Sequence, residues 1–135
     1  MPWTVTVTRE HKTFHYLKWK VVLTSDGGAL AATDLVALMP EQLKNQNQLL
    51  MLLKVSPGTG GVLPDNTFTI TFTDEEGDAI WTKAAISNVA VSWHSMSEDI
   101  GAYIPLFDKL YLAIDDIGTA GDQITLYFIS WLEEM

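Results

Sequence analysis

Apolar and polar residues alternate with a period of two along most of this chain, the pattern of strands with one face in a core and one in solvent. The clearest case is residues 67–73, where Thr67, Thr69, Thr71 and Thr73 are interleaved with Phe68, Ile70 and Phe72. Trp3, Val5 and Val7 are set between threonines in the same way. The stretch 14–24 places Leu17, Trp19, Val21 and Leu23 inward and Lys18 and Lys20 outward, and it ends at the turn signal Ser25-Asp26-Gly27-Gly28. Residues 29–38 suit a strand or a short helix, closed by Pro40. Over 41–56 the composition favours helix and only Val55 is β-branched, which predicts a helical turn at 40–45 and a strand at 49–56.

Residues 57–66 hold three glycines and two prolines and read as a loop. Strand 67–73 turns at the acidic cluster and returns through 78–82. Residues 87–95 alternate again, with Val89, Val91 and Trp93 sharing a face. Residues 106–116 and 122–132 read as two strands joined as a hairpin through the Gly-bounded loop 117–121. Short strands with turns at intervals of about ten residues predict an all-β fold. The expected architecture is an antiparallel β-sandwich, jelly-roll-like or Greek key, of about 7–9 strands with one short helical turn. No linker or repeat divides residues 1–135, so one β domain is expected, with 1–13 and 131–135 as ends that contact an oligomer or partner.

Composition narrows the functional classes. Hydrophobic residues make up 47% of the 135, enough for a real core. With no cysteine, disulfide scaffolds, thiolate metal sites and thiol catalysis are excluded. Seventeen acidic against eight basic residues give a net charge of −9, which repels a phosphate backbone, so no nucleic-acid partner is expected. The basic residues do gather early, at Arg9, His11, Lys12, His15, Lys18 and Lys20, as a solvated face or a docking surface for an acidic partner. The most concentrated apolar run, residues 49–53, is far short of the ~20 residues that span a bilayer. The opening residues lack the pattern of a secretory signal. No membrane partner is expected, and synthesis in the cytoplasm as a soluble protein is.

Asp74, Glu75, Glu76 and Asp78 form the densest carboxylate group. Calcium takes several such oxygens, but the alternate-position spacing and distal Glu of an EF-hand are missing. The plainer reading is a hairpin turn with Gly77 at positive φ and the acids facing water. Asp115, Asp116 and Asp122 flank the last hairpin loop and Glu98-Asp99 sit in another; adjacent acids on one strand point to opposite faces, so these read as solvated turns and not as a dyad. His11 and His15, four apart on a strand-like run, stand about 13 Å from each other, too far to share an ion. His94 precedes Ser95 without a Gly-flanked nucleophile, and residues 58–61 lack the Lys-Ser/Thr of a phosphate loop. The expectation is no enzyme, no catalytic residue, no metal and no cofactor. Trp3 and Trp131, near the two ends, suggest termini that pack on the domain or on a neighbour.

Three stretches together resemble a family of small virion structural proteins of tailed bacteriophages. They are LKWKVVLTSDGGALA from Leu17, LPDNTFTITFTDEEGDAIW from Leu63, and FDKLYLAIDDIGTAGDQITLYFI from Phe107. Their order and spacing also agree, over about residues 17–130. Residues 1–13 and the tail after Ser130 have no counterpart, residues 84–105 match poorly, and Asp108 replaces the family's usual Gly or Asn. The resemblance implies a non-enzymatic antiparallel β-sandwich in the virion, most concretely a capsid cement or decoration protein that binds and stabilises the head shell. A tail or head–tail neck accessory role is the alternative within that class. The implied partners are the major capsid protein or other virion proteins, with self-association as a dimer or trimer. Trp3, Phe14, Tyr16, Trp19 and Trp131 are the interface candidates. From another class, a calcium-stabilised carbohydrate-binding β-sandwich would use the turn at 74–78 with exposed aromatics.

Overall fold

The computed structural model describes residues 3–12, 15–39, 48–58, 63–106, 109–115 and 117–132. Its strands are β1 (Thr4–Lys12), β2 (Tyr16–Thr24), β3 (Leu30–Asp34), β4 (Gln48–Pro57), β5 (Phe68–Thr73), β6 (Ala79–Ile86), β7 (Ser92–Ser95), β8 (Ile104–Pro105), β9 (Tyr111–Ile114) and β10 (Gln123–Leu132). Among the described residues two short helices, α1 (Leu35–Leu38) and α2 (Met96–Ile100), interrupt them. One sheet has the order β1-β2-β10-β4-β7, with β8 also on β4, and the other has the order β3-β9-β5-β6. Every pairing is antiparallel. The fold is an all-β sandwich, as the alternation predicts.

Period two supplies the layer between the sheets. Leu17, Trp19, Val21 and Leu23 of β2 meet Phe68, Ile70 and Phe72 of β5 in one hydrophobic cluster. An aromatic relay crosses the sandwich: Trp19 stacks on Phe128 at 4.2 Å, Phe128 lies 5.8 Å from Phe72, and Phe72 lies 5.2 Å from Trp81. Each buried indole N–H needs an acceptor. Trp19 Nε1 donates to Gln48 Oε1 at 2.9 Å, and Trp81 Nε1 donates to Asp99 Oδ2 at 2.8 Å.

Three expectations change. Residues 106–116 and 122–132 do not form a hairpin. β9 pairs with β3 and β5, whereas β10 pairs with β2 and β4, so residues 115–122 carry the chain from one sheet to the other. Residues 87–91 are not a strand: β7 begins at Ser92, and Val89, Val91 and Trp93 are exposed while His94 points inward. A second helix, α2, follows β7, its N-cap Ser95 accepting from the Glu98 N–H. The helical turn expected at 40–45 lies outside the described residues.

Irregularities in the ladders have local causes. In β4 the register slips beside Ile129, where Leu50 and Leu52 face consecutive residues of β10 and Met51 is the extra one. This bulge turns Leu50 and Leu53 inward and leaves Leu49 and Leu52 on the outer face. In β6 a second slip sets Ala85 at φ 55, on an exposed edge strand. A left-handed conformation costs an L-residue about 1–2 kcal/mol, against about 0.4–1 kcal/mol of extra chain entropy for glycine. Ala85→Gly is therefore expected to raise stability by up to about 1 kcal/mol in urea titration; a loss of stability would show that the slip carries no strain.

Candidate docking face

The outward side of the six-stranded sheet is not the polar surface that one-sided alternation predicts. β10 is apolar on both faces: Leu126 and Phe128 point inward, while Tyr127, Ile129 and Trp131 point outward and stay half-buried. Register sets their neighbours. Tyr127 lies between Lys20 of β2 and Lys54 of β4, Ile129 between Lys18 and Leu52, and Trp131 between Tyr16 and Leu49. Lys54 in turn faces Trp93 of β7. The result is a continuous patch of aromatic and aliphatic groups threaded by lysines.

Those lysines are held by rings. Lys18 Nζ sits 4.9 Å from the Tyr127 centroid, and Lys54 Nζ sits 5.0 Å from Tyr127 and 5.4 Å from Trp93. An ammonium over a ring face is attracted by the ring quadrupole. Among the described residues, neither Lys18 nor Lys54 has a carboxylate within ion-pair distance, whereas Lys20 bonds Glu10 at 2.9 Å. Glu10 also holds the Lys20 pKa above its usual value, by hydrogen bond and charge. Trp93 is 56% exposed, and Val89 and Val91, in the segment that leads into β7, are exposed as well. The face thus presents apolar groups and cations side by side.

The interface candidates divide. Tyr16 and Trp131 meet on this face, edge to ring at 5.2 Å, and His15 stacks on the same indole at 5.2 Å. Trp3 lies elsewhere, half-buried, with Nε1 donating to Gly28 O at 3.1 Å. Trp19 is not on any surface; it is fully buried in the aromatic relay, because it shares the inward parity of Leu17 and Val21. Phe14 lies outside the described residues. Lys54, Trp93, Tyr127 and Ile129 complete the face and were not among the interface candidates, whereas Lys18 belongs to the basic group read from sequence as a solvated face or a docking surface. For Tyr127 and Ile129 the signal was the run Leu126 to Ile129, apolar on both parities, which marks a strand with both faces to cover.

The other constellations have structural uses. Asp74 shapes the β5–β6 turn: its Oδ1 accepts from the Glu76 and Asp78 N–H groups at 3.0 and 2.9 Å, and Gly77 takes φ 87. Glu75 approaches Lys109 at 3.8 Å. Among the described residues no three acidic or His side chains form a metal-sized group, and no helix is long and apolar enough to cross a membrane. Asp115 Oδ1 accepts from the Thr69 N–H at 2.7 Å, and Asp122 Oδ2 accepts from the Thr119 N–H at 2.9 Å.

His94 Nε2 and Ser92 Oγ lie 3.0 Å apart. A nucleophilic pair would need a third group to orient the imidazole. Asp99 is the nearby carboxylate, but its two oxygens face Trp81 Nε1 and, at 3.9 Å, Lys83. Burial, then Lys83, push the His94 pKa below its ordinary 6.5, with Asp99 opposing them. The folded protein thus resists a proton that the unfolded chain accepts. The contribution of His94 is constant above pH 6.5 and declines as pH falls from there toward its lowered folded value. His94→Gln is expected to flatten the stability–pH curve below pH 6.5, read from urea midpoints; an unchanged slope would rule out this coupling.

A scan against protein-family models finds no match for this chain, and a search of curated proteins finds none either.

Proposed function

We propose that this protein is a non-enzymatic structural component of a tailed-bacteriophage particle, most concretely a cement or decoration protein that reinforces the head shell. The observation that carries the docking part of this reading is the outer face of the six-stranded sheet, with Tyr127 between Lys18 and Lys54 and exposed Trp93 beside them. A sheet face with aliphatic groups between ring-held cations gives a flat protein surface both apolar contact and charge to pair with. The virion assignment itself comes from the resemblance over residues 17–130. A protein of this kind works by many weak contacts repeated over a lattice, which add through multivalency. The partners are the major capsid protein or another virion protein, together with neighbouring copies of this chain.

The test uses particles assembled without the protein. Added back, it is expected to co-sediment with them and to raise their resistance to heat and low salt, and Lys18→Glu/Lys54→Glu is expected to lose both effects. Particles whose stability ignores the protein would end the cement role, and immunogold label confined to the tail would move it to a tail or neck part.

A further inference from the structure

We propose that two copies of this protein pair edge to edge through strand β1, antiparallel about a two-fold axis at Thr6, joining their six-stranded sheets into one. This rests on the reading of the protein as a self-associating part of a particle, and it names the edge that pairs.

An unpaired strand edge is a template for another strand, and folds blunt it with charges, bulges or shortness. Among the described residues every sheet edge except β1 is blunted. β6 carries Lys83 and the slip at Ala85, and β3 slips between Leu30 and Thr33. β7 has only four residues and β8 two. β1 instead keeps unbroken register with β2 from Thr4 to Arg9, with no charge or proline before Arg9, and slips only beyond it. Thr4, Thr6 and Thr8 are exposed. Among the described residues no backbone bond from another element reaches the outer side of β1.

The sequence of this edge is its own complement. Thr4-Val5-Thr6-Val7-Thr8 reads the same in both directions. A two-fold axis at Thr6 therefore sets Val5 opposite the partner's Val7 and Thr4 opposite the partner's Thr8. Period two keeps the valines on the core side and the threonines on the outer side, and such cross-strand pairs are the unit of sheet stabilisation. The same register places the partner's Arg9 opposite Trp3, on the core side. Arg9 is exposed and, among the described residues, meets no carboxylate within ion-pair distance. Trp3 lines a hollow of about 490 Å³ between the β1 and β3 edges, together with Val5, Leu30, Leu38 and Asp26. Asp26 Oδ1 accepts from the Gly28 N–H at 2.9 Å, and its Oδ2 takes no other bond among the described residues. The incoming guanidinium thus finds an indole and a carboxylate. Trp3, which the docking face leaves out, has its use here.

The two Arg9 side chains stand at opposite ends of the ladder, about 20 Å apart, beyond the screening length of about 8 Å. The axis is perpendicular to the sheet, so the two docking faces lie on the same side and engage one lattice together. A two-fold contact is isologous and closed, so assembly stops at the dimer. The ladder from Trp3 to Arg9 buries less than the ~800 Å² per partner of a standard interface. The dimer is therefore weak in solution and gains from the lattice.

Sedimentation equilibrium and cross-linking on the purified protein test this. Wild type is expected to show a monomer–dimer equilibrium with no larger species. Arg9→Glu is expected to weaken it about tenfold or more, since the change acts at both ends of the ladder. The chain has no cysteine, so Thr6→Cys puts a single thiol on the axis, with Cβ atoms about 4.5–5.5 Å apart across the pair. A short bifunctional thiol reagent is expected to convert it to a covalent dimer under conditions that leave Thr82→Cys, exposed on edge strand β6, monomeric. Unchanged melting temperatures show that the variants are folded. A wild type that stays monomeric at its highest soluble concentration would overturn the proposal, as would equal cross-linking of the two cysteine variants or growth beyond the dimer. Undiminished dimerisation of Arg9→Glu would overturn the register. A monomeric protein that still co-sediments with particles would overturn edge pairing and leave the particle role standing. Dimers that ignore particles would do the reverse.

Discussion

Trp19→Ala is expected to lower stability by about 3–5 kcal/mol, the range for removing a large buried aromatic. Trp19 is completely buried. Its ring stacks on Phe128 at 4.2 Å with an interplanar angle of 11°, at the head of the relay that joins the two sheets. The substitution removes that contact, leaves a cavity where the sheets meet, and takes the Nε1 donor away from buried Gln48. Domains have only about 5–15 kcal/mol to lose, so the urea midpoint should fall by a large fraction. Trp93→Ala is the control: 56% exposed, it should cost less than about 1 kcal/mol. Equal losses for the two tryptophans would contradict the placement of Trp19 in the core.

Gly118→Ala is expected to cost about 2–4 kcal/mol, from backbone strain and steric conflict together. Gly118 takes φ 130, and a Cβ there would lie 2.6 Å from both Cβ and Oδ2 of Asp65. Asp65 has little room to retreat. Its Oδ2 accepts from Thr119 Oγ1 at 2.7 Å, and its N–H donates to Ile117 O at 2.9 Å. These bonds tie the start of β5 to the segment that crosses between the sheets, so displacing Asp65 disturbs the fold's closure. Gly77 separates the two contributions: φ 87 strains an alanine there, but nothing lies within 4 Å. Gly77→Ala should cost about 1–2 kcal/mol. Urea titrations giving the same loss at both glycines would show that the contact with Asp65 is not rigid.

The sequence pattern was most legible where one face of a strand is buried and the other wet. β2 and β5 follow it residue by residue, with Leu17 to Leu23 and Phe68 to Phe72 inward. It was least legible where that premise fails. In β4 the bulge at Met51 shifts the parity midway, so residues 49–53 show neither clean period and read as helix or strand. Alternation also carries no label for the sheet a strand joins. The loop at 117–121 suits a hairpin by composition, yet it lies on a crossing because β10 pairs between β2 and β4. Helix α2 had a signal that went unused: Ser95 and Glu98 have the spacing of a capping box, and Ser95 does cap the helix. As for the site, Tyr16 and Trp131 were reachable as aromatics of outward parity, whereas Trp19's own parity already placed it inside. Lys54 and Tyr127 come together only through strand pairing between residues distant in sequence, which no local pattern contains.

We propose the outer face of the six-stranded sheet as the protein-docking surface in the assembled particle. Amine-reactive labelling read by mass spectrometry tests it directly, comparing dilute free protein with particle-bound protein. Lys18 and Lys54 should react freely in the first and be protected in the second, while Lys83, on the edge strand of the other sheet, reacts alike in both. Equal labelling of Lys18 and Lys54 in the two states would show that this face stays open to solvent in the particle.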